Sequence, residues 1–229
     1  IIYGSIISMT APHLNVLTSA DWYDYELLDS GDLKKLERFG DFLFIRPEPQ
    51  AMWQPRLDAD AWRADGVFQP DKNDPKNNES GGWHLSKSIP DSWQMRYHEL
   101  RFLARPTPFR HLGFFPEQAA HWVWCADKIH RFRQRHNRRP RILNLFAYSG
   151  LASLHAAAAG AQVTHVDASK KAIKQAFENR DACGFQDTPI RFITDDARGF
   201  VAREIRRQRA YDGIIMDPPK YGRGPKGET

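Results

Sequence analysis

Three polar segments in the second half of the chain each follow a short apolar run, and their side chains suit the recognition of a nucleoside. The first spans residues 144–150 and ends in Gly150, which allows a backbone to approach a ligand closely. The second reaches Asp167, whose carboxylate can accept hydrogen bonds from both hydroxyls of a ribose. The third contains Asp195 and Asp196, which can accept a hydrogen bond from the exocyclic amine of adenine. Together the three segments predict a nucleoside-binding cleft.

A fourth segment carries acceptors that a reaction could use. It reads Asp217-Pro218-Pro219-Lys220-Tyr221. Two consecutive prolines fix the backbone and remove two N–H donors, so the Asp217 carboxylate and the adjacent carbonyl groups are held as acceptors at the mouth of the cleft. We expect Asp217, Pro218 and Lys220 to act in the reaction. For Lys220, contact with a phosphate, assistance with proton movement and simple solvation all remain open.

The four segments follow a regular alternation of strand-like and helix-like patterns. We predict strands over residues 141–147, 162–167, 190–194 and 213–217, and helices over residues 151–160, 169–184 and 197–209. Repeated strand, helix, strand units predict a parallel sheet wound by right-handed crossovers, and ligands of such sheets bind beyond the carboxyl ends of the strands. Four strand ends with coherent chemistry are therefore a far more specific signal than any one of them.

The first part of the chain, residues 14–110, is richer in Trp, Pro, Gly and Asp. Apolar runs such as 42–45 and 100–103 are bounded by turn-forming residues, which predicts strands. The polar stretch 69–82 has almost nothing to bury and predicts a mobile loop between strands.

Residues 117–136 connect the two parts. Trp122, Ala126, Ile129 and Phe132 recur there at three- and four-residue steps, which predicts an amphipathic helix. The predicted fold class is therefore α/β: a small, mainly antiparallel β domain over residues 1–112, and a Rossmann-like parallel sheet over residues 113–229.

Composition narrows the possible functions. The 229 residues carry a net charge of +5, which mildly favours contact with polyanions. Cys125 and Cys183 are the two cysteines, so we expect neither a disulfide framework nor a zinc site, and no metal. The apolar opening before Met9 lacks a basic leader and is too short for a membrane span, so we interpret it as readthrough and expect a cytoplasmic protein without membrane contact.

The four segments also resemble known motifs. The series LNLFAYSG, VDAS, DDARGF and MDPPKYG is similar to the first four motifs of the class I S-adenosylmethionine-dependent methyltransferases. It is most similar to the family typified by the bacterial large-subunit ribosomal RNA cytosine-5 methyltransferases, whose members carry a YSG or YTG turn and a DPPK motif. The similarity covers residues 114–222, together with the GFFPEQ stretch at 113–118, which resembles the segment that closes over the cofactor.

The resemblance implies S-adenosylmethionine as the cofactor. The same resemblance implies that residues 146–148 line the methionine end of the cofactor, that Asp167 binds its ribose and that Asp196 faces its adenine. It also implies that Asp217 lies between cofactor and substrate. The residues that we expect to bind the cofactor lie on the strand-end segments or on the closing segment. They are Phe115, Gln118, Asn144, Phe146, Ala147, Tyr148, Ser149, Gly150, Asp167, Ala168, Ser169, Asp195, Asp196, Ala197 and Asp217.

The sequence departs from the family pattern at three points. Asn144 stands where the first motif usually begins with an acid, and its amide can still meet the methionine ammonium group, without a charge. Tyr148 replaces the first glycine of the usual turn, as it does in the named family. The chain stops at Thr229, where such domains continue through three more strands, so we expect the sequence to be incomplete there.

The acceptor atom sets the remaining chemical requirements. Cytosine C5 is unreactive until a cysteine thiolate adds to C6, and we expect both Cys125 and Cys183 to be structural thiols. An exocyclic amine would instead use Asp217 and the Pro218 carbonyl as acceptors. Lys220 occupies the aromatic position of the amino-methylase motif, which counts against an amine acceptor without excluding it.

Two groups of side chains could contact RNA. The arginines at 131, 133, 135, 138, 139 and 141 suit phosphate contacts beside a cleft or a solvated helix face, and the sequence leaves both open. Trp53, Trp62, Trp83 and Trp93 could stack on bases, although we expect most of them in the core of the β domain.

These observations favour an S-adenosylmethionine-dependent methyltransferase that acts on a base of ribosomal RNA, with cytosine C5 preferred. One alternative is a non-catalytic RNA-binding module on the same fold. The other is a nicotinamide-dependent oxidoreductase, which is disfavoured because no GxGxxG follows the first strand of the sheet.

Overall fold

A computed structural model describes residues 16–18, 22–71, 81–85 and 89–218 of the chain. Its N-terminal part contains a five-stranded sheet in the order β1-β2-β3-β4-β5, with strands at Tyr25–Gly31, Lys34–Phe39, Phe42–Pro47, Gly66–Pro70 and Gly81–Leu85. A separate antiparallel hairpin follows, with β6 at Trp93–Tyr97 and β7 at Leu100–Ala104. The predicted strands at 42–45 and 100–103 fall within β3 and β7.

The pairing of this first sheet is mainly antiparallel, as predicted, with one exception. β3 and β4 run parallel, with Phe44 opposite Gly66, because the chain between them crosses back past a short 3-10 helix at Ala59–Ala61. β4 and β5 pair as far as Pro70 and Gly81, so both ends of the stretch 69–82 belong to strands. Residues 72–80 of that predicted loop lie outside the described residues.

Aromatic side chains fill the core between the first sheet, the hairpin and the helices that follow. Phe44, Tyr97, Phe102 and Trp122 belong to one buried cluster, which also includes Leu154. This cluster joins elements from both halves of the sequence. Burial of large rings from several elements is a principal source of stability in a core of this kind.

The tryptophans of the first part differ in their surroundings. Trp93 lies nearly parallel to Phe44, with ring centroids 5.7 Å apart, and Trp83 donates from Nε1 to the Thr107 carbonyl at 2.8 Å. Both pack against the core, as expected. Trp62 donates to Asp29, whereas Trp53 is 56% exposed.

The second part is an α/β unit with a four-stranded parallel sheet, as predicted. Its helices are α1 (Ala119–His136), α2 (Leu151–Ala158), α3 (Lys170–Ala182) and α4 (Ala197–Arg206), and its strands are β8 (Arg141–Leu145), β9 (Gln162–Asp167), β10 (Ile190–Thr194) and β11 (Gly213–Met216). The strand order is β10-β9-β8-β11. The chain builds outward from β8 to β10 and then returns to the other side of β8, so the strand order reverses beside the end of β8.

Several elements are shorter than the patterns predict. β8 ends at Leu145, because Phe146 adopts a left-handed conformation with a φ of 54°. α1 begins at Ala119, because Pro116 opens a 3-10 helix at Pro116–Gln118 before it. α2 ends at Ala158, two residues before Gly160, which has a φ of 97°.

The arginine run before β8 lies at the amino ends of the strands. Arg138 binds both oxygens of Asp212 at 2.7 Å each, Arg133 donates to the Ala159 carbonyl, and Arg131 pairs with Asp127. β8 begins at Arg141 and the four polar segments follow the opposite ends of the strands. Of the two interpretations that the sequence left open, this position does not favour a place beside the cleft, and three of the arginines hold local structure.

Candidate functional site

The loop between β8 and α2 has a strained backbone. Phe146 and Tyr148 have φ values of 54° and 46°, a conformation that costs a non-glycine residue about 1–2 kcal/mol. Gly150 has a φ of 89°, and a Cβ there would lie 3.0 Å from the Cβ of Ala176. The Ala147 N–H donates to the Val166 carbonyl at 3.1 Å. Contacts of this kind hold the loop in a shape that its own residues do not favour, which is typical of ligand sites.

Asp167 connects the ends of β8 and β9. Its Oδ2 accepts from the Tyr148 N–H at 2.8 Å, and its Oδ1 accepts from the Ser169 N–H at 2.8 Å. The Asp167 carbonyl accepts from the Asp195 N–H at 3.0 Å, which adds the end of β10. The structure therefore brings together the first three polar segments that the sequence singled out. Each carboxylate oxygen has a second lone pair, so each can still accept the predicted bond from a ribose hydroxyl.

The two carboxylates after β10 are engaged with α4. Asp196 is the N-cap residue of α4, and its Oδ1 accepts from the Gly199 N–H at 2.8 Å. Asp195 forms an ion pair with Arg203. Ala197 is buried at the first position of the helix. Contact between Asp196 and the adenine stays a prediction, which would use the oxygen that does not cap the helix.

Asn144 is buried rather than turned to the cleft. It is 2% exposed, and its Nδ2 donates to Ser153 Oγ at 2.9 Å. Ser153 Oγ in turn lies 3.0 Å from His165 Nδ1, so a polar chain links β8, α2 and β9. The predicted contact of Asn144 with the methionine ammonium group is not favoured by this position.

The residues that follow the ends of β8 and β9 differ in their surroundings. Ser149 is buried and its carbonyl accepts from Asn179 Nδ2 at 2.8 Å, whereas Ala168 is exposed beside Asp167. Asn179 also accepts from the Leu103 N–H through Oδ1 at 2.9 Å. This single side chain of α3 therefore fixes the β8–α2 loop to the hairpin. The role of Asn179 was not predicted from the sequence, because a helical Asn has no distinguishing spacing.

The closing segment 113–118 lies beside Asp217, the residue that follows the end of β11. Gln118 donates from Nε2 to Asp217 Oδ2 at 3.2 Å, and its Oε1 lies 2.9 Å from His121 Nδ1. The Gly113 carbonyl accepts from Gln175 of α3 at 3.2 Å. Asp217 and Pro218 are exposed at the end of β11, and Lys220 lies outside the described residues. The structure thus joins two predicted site residues, Gln118 and Asp217, that are 99 positions apart.

Four aromatic rings border the same region. We call them the aromatic wall: Phe109, His111, Phe115 and Tyr148. The His111 ring lies 5.6 Å from Phe109, 5.0 Å from Phe115 and 5.6 Å from Tyr148, measured between centroids. Burial raises the pKa of Tyr148 to about 12, so its phenol stays protonated at neutral pH and cannot act as a base. Phe109 and His111 were not predicted as site residues, because they precede the residues that carry the family resemblance.

Neither cysteine has the properties of a nucleophile. Burial raises the pKa of Cys125 in α1, and it also raises the pKa of Cys183, whose Sγ donates to the Arg101 carbonyl at 2.9 Å. A reactive cysteine requires a lowered pKa. Both are therefore best described as structural thiols.

The part of the chain that the structure describes contains no group of three or more His, Cys, Asp or Glu side chains that could hold a metal ion. Within the same residues, no helix has both the length and the apolar character needed to cross a membrane.

Comparisons with solved structures place the fold. The crystal structure of the SAM-dependent (S-adenosylmethionine-dependent) methyltransferase from Agrobacterium tumefaciens is 45% identical to this chain, with a TM-score of 0.85 over 94% of this chain and 67% of that chain. A putative SAM-dependent methyltransferase from Streptococcus mutans has a TM-score of 0.64 at 17% identity, covering 89% of this chain and 53% of its own. The second likeness shows the fold alone.

Comparisons of sequence cover mainly the α/β part. A family model described as "Conserved hypothetical protein 95" matches residues 127–224. A ribosomal RNA large subunit methyltransferase K/L from Pseudoalteromonas translucida is 37% identical over 94 residues, which are 41% of this chain and 13% of that protein. A putative ribosomal RNA large subunit methyltransferase from Methanocaldococcus jannaschii is 37% identical over 109 residues, or 48% of this chain and 26% of its own length. The chain thus spans about a quarter or less of these curated relatives.

Proposed function

Because this chain belongs to the class I S-adenosylmethionine-dependent methyltransferases, we propose that it methylates a base of ribosomal RNA. The proposed substrate is supported by the curated relatives, which are named as ribosomal RNA large subunit methyltransferases. One observation gives the main support for the proposed cofactor site. The Asp167 carboxylate accepts from the N–H groups of Tyr148 and Ser169, which follow the adjacent strands β8 and β9. Membership in a family defined by S-adenosylmethionine counts against the nicotinamide-dependent alternative.

The residues present fit this cofactor. When bound, S-adenosylmethionine supplies an electrophilic methyl group on a sulfonium, and transfer then depends chiefly on alignment of the acceptor with that group. Asp167 offers acceptors to the ribose hydroxyls, and Asp196 offers one to the adenine amine. The strained loop at 146–150 shapes the methionine end, and Asp217, held by Gln118, offers an acceptor on the substrate side.

Asp167→Asn tests the cofactor site. We expect the variant to bind S-adenosylhomocysteine about 10- to 100-fold more weakly, because a hydrogen bond to a charged group contributes about 1.5–3 kcal/mol and an amide can accept through one oxygen only. The measurement is isothermal titration calorimetry. Asp187→Asn, at an exposed carboxylate between α3 and β10, is the matched control and should bind like the wild type. Equal affinity in Asp167→Asn would contradict the proposed site.

For the acceptor atom we propose cytosine C5, on the strength of the family resemblance. That reaction needs a thiolate, and the raised pKa values of Cys125 and Cys183 do not suit either of them to it. An exocyclic amine is the second candidate. The amine acceptor is favoured by Asp217, whose carboxylate accepts from Gln118. A carboxylate oxygen of Asp217 and the adjacent Pro218 carbonyl could accept the two amine hydrogens.

RNA that contains 5-fluorocytidine separates the two acceptors. A C5 methyltransferase adds its thiolate to C6 and transfers the methyl group, but fluorine cannot leave C5 as a proton does, so the protein stays covalently bound to the RNA. If the acceptor is cytosine C5, large-subunit ribosomal RNA transcribed with 5-fluorocytidine gives a complex that survives denaturing electrophoresis, and RNA with normal cytidine gives labelled product without one. Labelled product from both transcripts and no complex would overturn C5 in favour of the amine. If neither RNA is labelled although the protein binds the cofactor, the non-catalytic alternative gains support.

A further inference from the structure

The aromatic wall leaves ring surface exposed beside the candidate site. Phe109 and Phe115 are 49% and 37% exposed, and the rings of Phe109 and His111 are nearly parallel, 19° apart. Exposed aromatic rings next to a cleft are typical of proteins that stack planar groups, nucleic acid bases among them. Phe115 and Tyr148 also belong to the predicted cofactor set, so Phe109 and His111 are the members of the wall that the cofactor site does not explain.

His111 carries its proton on a defined nitrogen. The Gly113 N–H donates to Nδ1 at 3.2 Å, and a nitrogen that accepts from an N–H bears no hydrogen of its own. The neutral ring therefore holds its hydrogen on Nε2, and no group among residues 22–71, 81–85 and 89–218 is found to accept from it. Burial, together with the charges of Arg46 and Arg110, lowers the pKa of His111 to about 4. At neutral pH the ring is an uncharged donor.

The loop that carries Phe109 and His111 is held firmly. Thr107 Oγ1 donates to the His111 carbonyl at 2.8 Å and accepts from the Phe109 N–H at 3.1 Å. Arg46 of β3 donates to the Arg110 carbonyl at 2.9 Å, which fixes the loop to the first sheet. A recognition residue on a supported loop is positioned before the ligand arrives, and this lowers the entropy lost on binding.

The wall also touches both sides of the proposed reaction site. Tyr148 is joined through its N–H to Asp167, on the cofactor side. The Phe115 carbonyl accepts from the Gln118 N–H at 3.1 Å, and the Gln118 side chain donates to Asp217 on the acceptor side. The wall is therefore connected through its backbone to both carboxylates.

We infer that the aromatic wall binds the acceptor base, which packs against its exposed rings while His111 Nε2–H donates to a carbonyl oxygen or ring nitrogen of that base. This inference rests on the proposed function, because it takes the substrate to be an RNA base. An uncharged donor beside aromatic rings suits a neutral, planar base better than a phosphate. Of the two arginines nearby, Arg46 is paired with Glu37 and Arg110 donates to the Pro47 carbonyl. His111 and Phe109 are thus assigned as base-binding residues that determine specificity.

Paired variants separate stacking from hydrogen bonding. Asn at position 111 can keep an acceptor for the Gly113 N–H while losing the distal donor, whereas Gln places an N–H near the position of Nε2. We expect His111→Asn and Phe109→Ala each to lower kcat/KM for ribosomal RNA roughly tenfold or more, with His111→Gln and Phe109→Tyr less affected. The affinity of all four variants for S-adenosylhomocysteine should stay unchanged, which also shows that they are folded.

A second measurement does not depend on the identity of the RNA. The imidazole signals of isotopically labelled histidine are recorded by NMR with the protein saturated in S-adenosylhomocysteine, and the His111 signal is identified by its loss in His111→Asn. Millimolar cytidine and guanosine monophosphates are then added, with ribose 5-phosphate as the control that lacks a base. We expect the His111 signal to shift with a nucleotide and not with the control.

The outcomes distinguish this inference from the proposed function. A His111 signal that no nucleotide moves would overturn base binding, whatever the methylation result. Wild-type kcat/KM in both His111→Asn and Phe109→Ala would also overturn it, while leaving ribosomal RNA methylation intact. If the wild type methylates no ribosomal RNA, the proposed function fails, and the nucleotide titration alone then decides whether the wall binds a base.

Discussion

Replacement of Arg46 by methionine is expected to lower the free energy of unfolding by about 3 kcal/mol, because the buried charge of Glu37 would keep only Tyr25 and the more distant Lys35, at 3.7 Å, as partners. Glu37 is 0% exposed and Arg46 is 5% exposed. Arg46 donates from Nε and Nη2 to the two carboxylate oxygens, at 2.6 Å each, and Tyr25 donates to the same carboxylate at 2.9 Å. Burial alone would raise the pKa of Glu37, but the charge and hydrogen bonds of Arg46 outweigh it and hold the pKa below its ordinary value.

Urea unfolding of the variant measures this effect, and the first sheet supplies a matched control. Arg38 pairs with Glu26 at 3.4 Å, with side chains that are 31% and 57% exposed, and it also donates to the Gly40 and Tyr23 carbonyls. Because water can replace these partly exposed bonds, Arg38→Met should lower the stability by only about 1–2 kcal/mol. A double variant, Glu37→Leu with Arg46→Met, removes both charges and should recover much of the loss. If Arg46→Met alone is as stable as Arg38→Met, the buried pair does not contribute as we argue.

The α/β part of the fold was predictable because its patterns are local. Apolar runs and helical periods located the four strands and the helices between them, and strand, helix, strand order implied the parallel sheet. The ends of the elements were less predictable. Phe146 and Tyr148 adopt positive φ values although neither is a Gly, Asn or Asp. Their residue types therefore do not predict the turn that ends β8.

The site was predictable where it follows from strand ends and unpredictable where it depends on contacts between distant elements. Asp167 was located by its place after an apolar strand, but its bonds to Tyr148 and Ser169 require the folded sheet. Asn144 was assigned to the cofactor from motif position alone, and its burial against Ser153 depends on how α2 packs.

The sequence left open whether the arginine run lies beside the cleft. Its density of charge suits a phosphate contact, but its order in the chain indicates a place at the opposite edge of the sheet. Residues that lead into a strand lie at the amino end of the sheet, whereas ligands of parallel sheets bind beyond the carboxyl ends. Arg138 therefore binds Asp212 before β11, on the edge away from the four polar segments. The aromatic wall could not be assigned in this way, because Phe109 and His111 come from the first part of the chain.

Acidification from pH 6.5 to pH 4.5 is expected to lower the free energy of unfolding by about 5 kcal/mol through two buried histidines, because each contributes about 1.4 kcal/mol per pH unit. His155 and His165 are 9% and 0% exposed, and burial lowers the pKa of each to about 3. In the unfolded chain a histidine titrates near pH 6.5, so below that value the unfolded state binds more protons than the folded state. The stability is therefore fully present above pH 6.5 and is lost progressively as the pH falls towards 3.

The slope of stability against pH identifies the groups responsible, independently of how stable each variant is. The His155 ring lies nearly parallel to Trp122, at 4.9 Å and 20°, so His155→Phe keeps a ring there and removes the titrating group. We expect the slope measured by urea unfolding between pH 6 and 4.5 to fall by about 1.4 kcal/mol per pH unit in this variant. His130→Gln, at an exposed position of α1, should leave the slope close to that of the wild type. A wild-type slope in His155→Phe would mean that the ring accepts its proton in the folded state, and that burial against Trp122 does not keep it neutral.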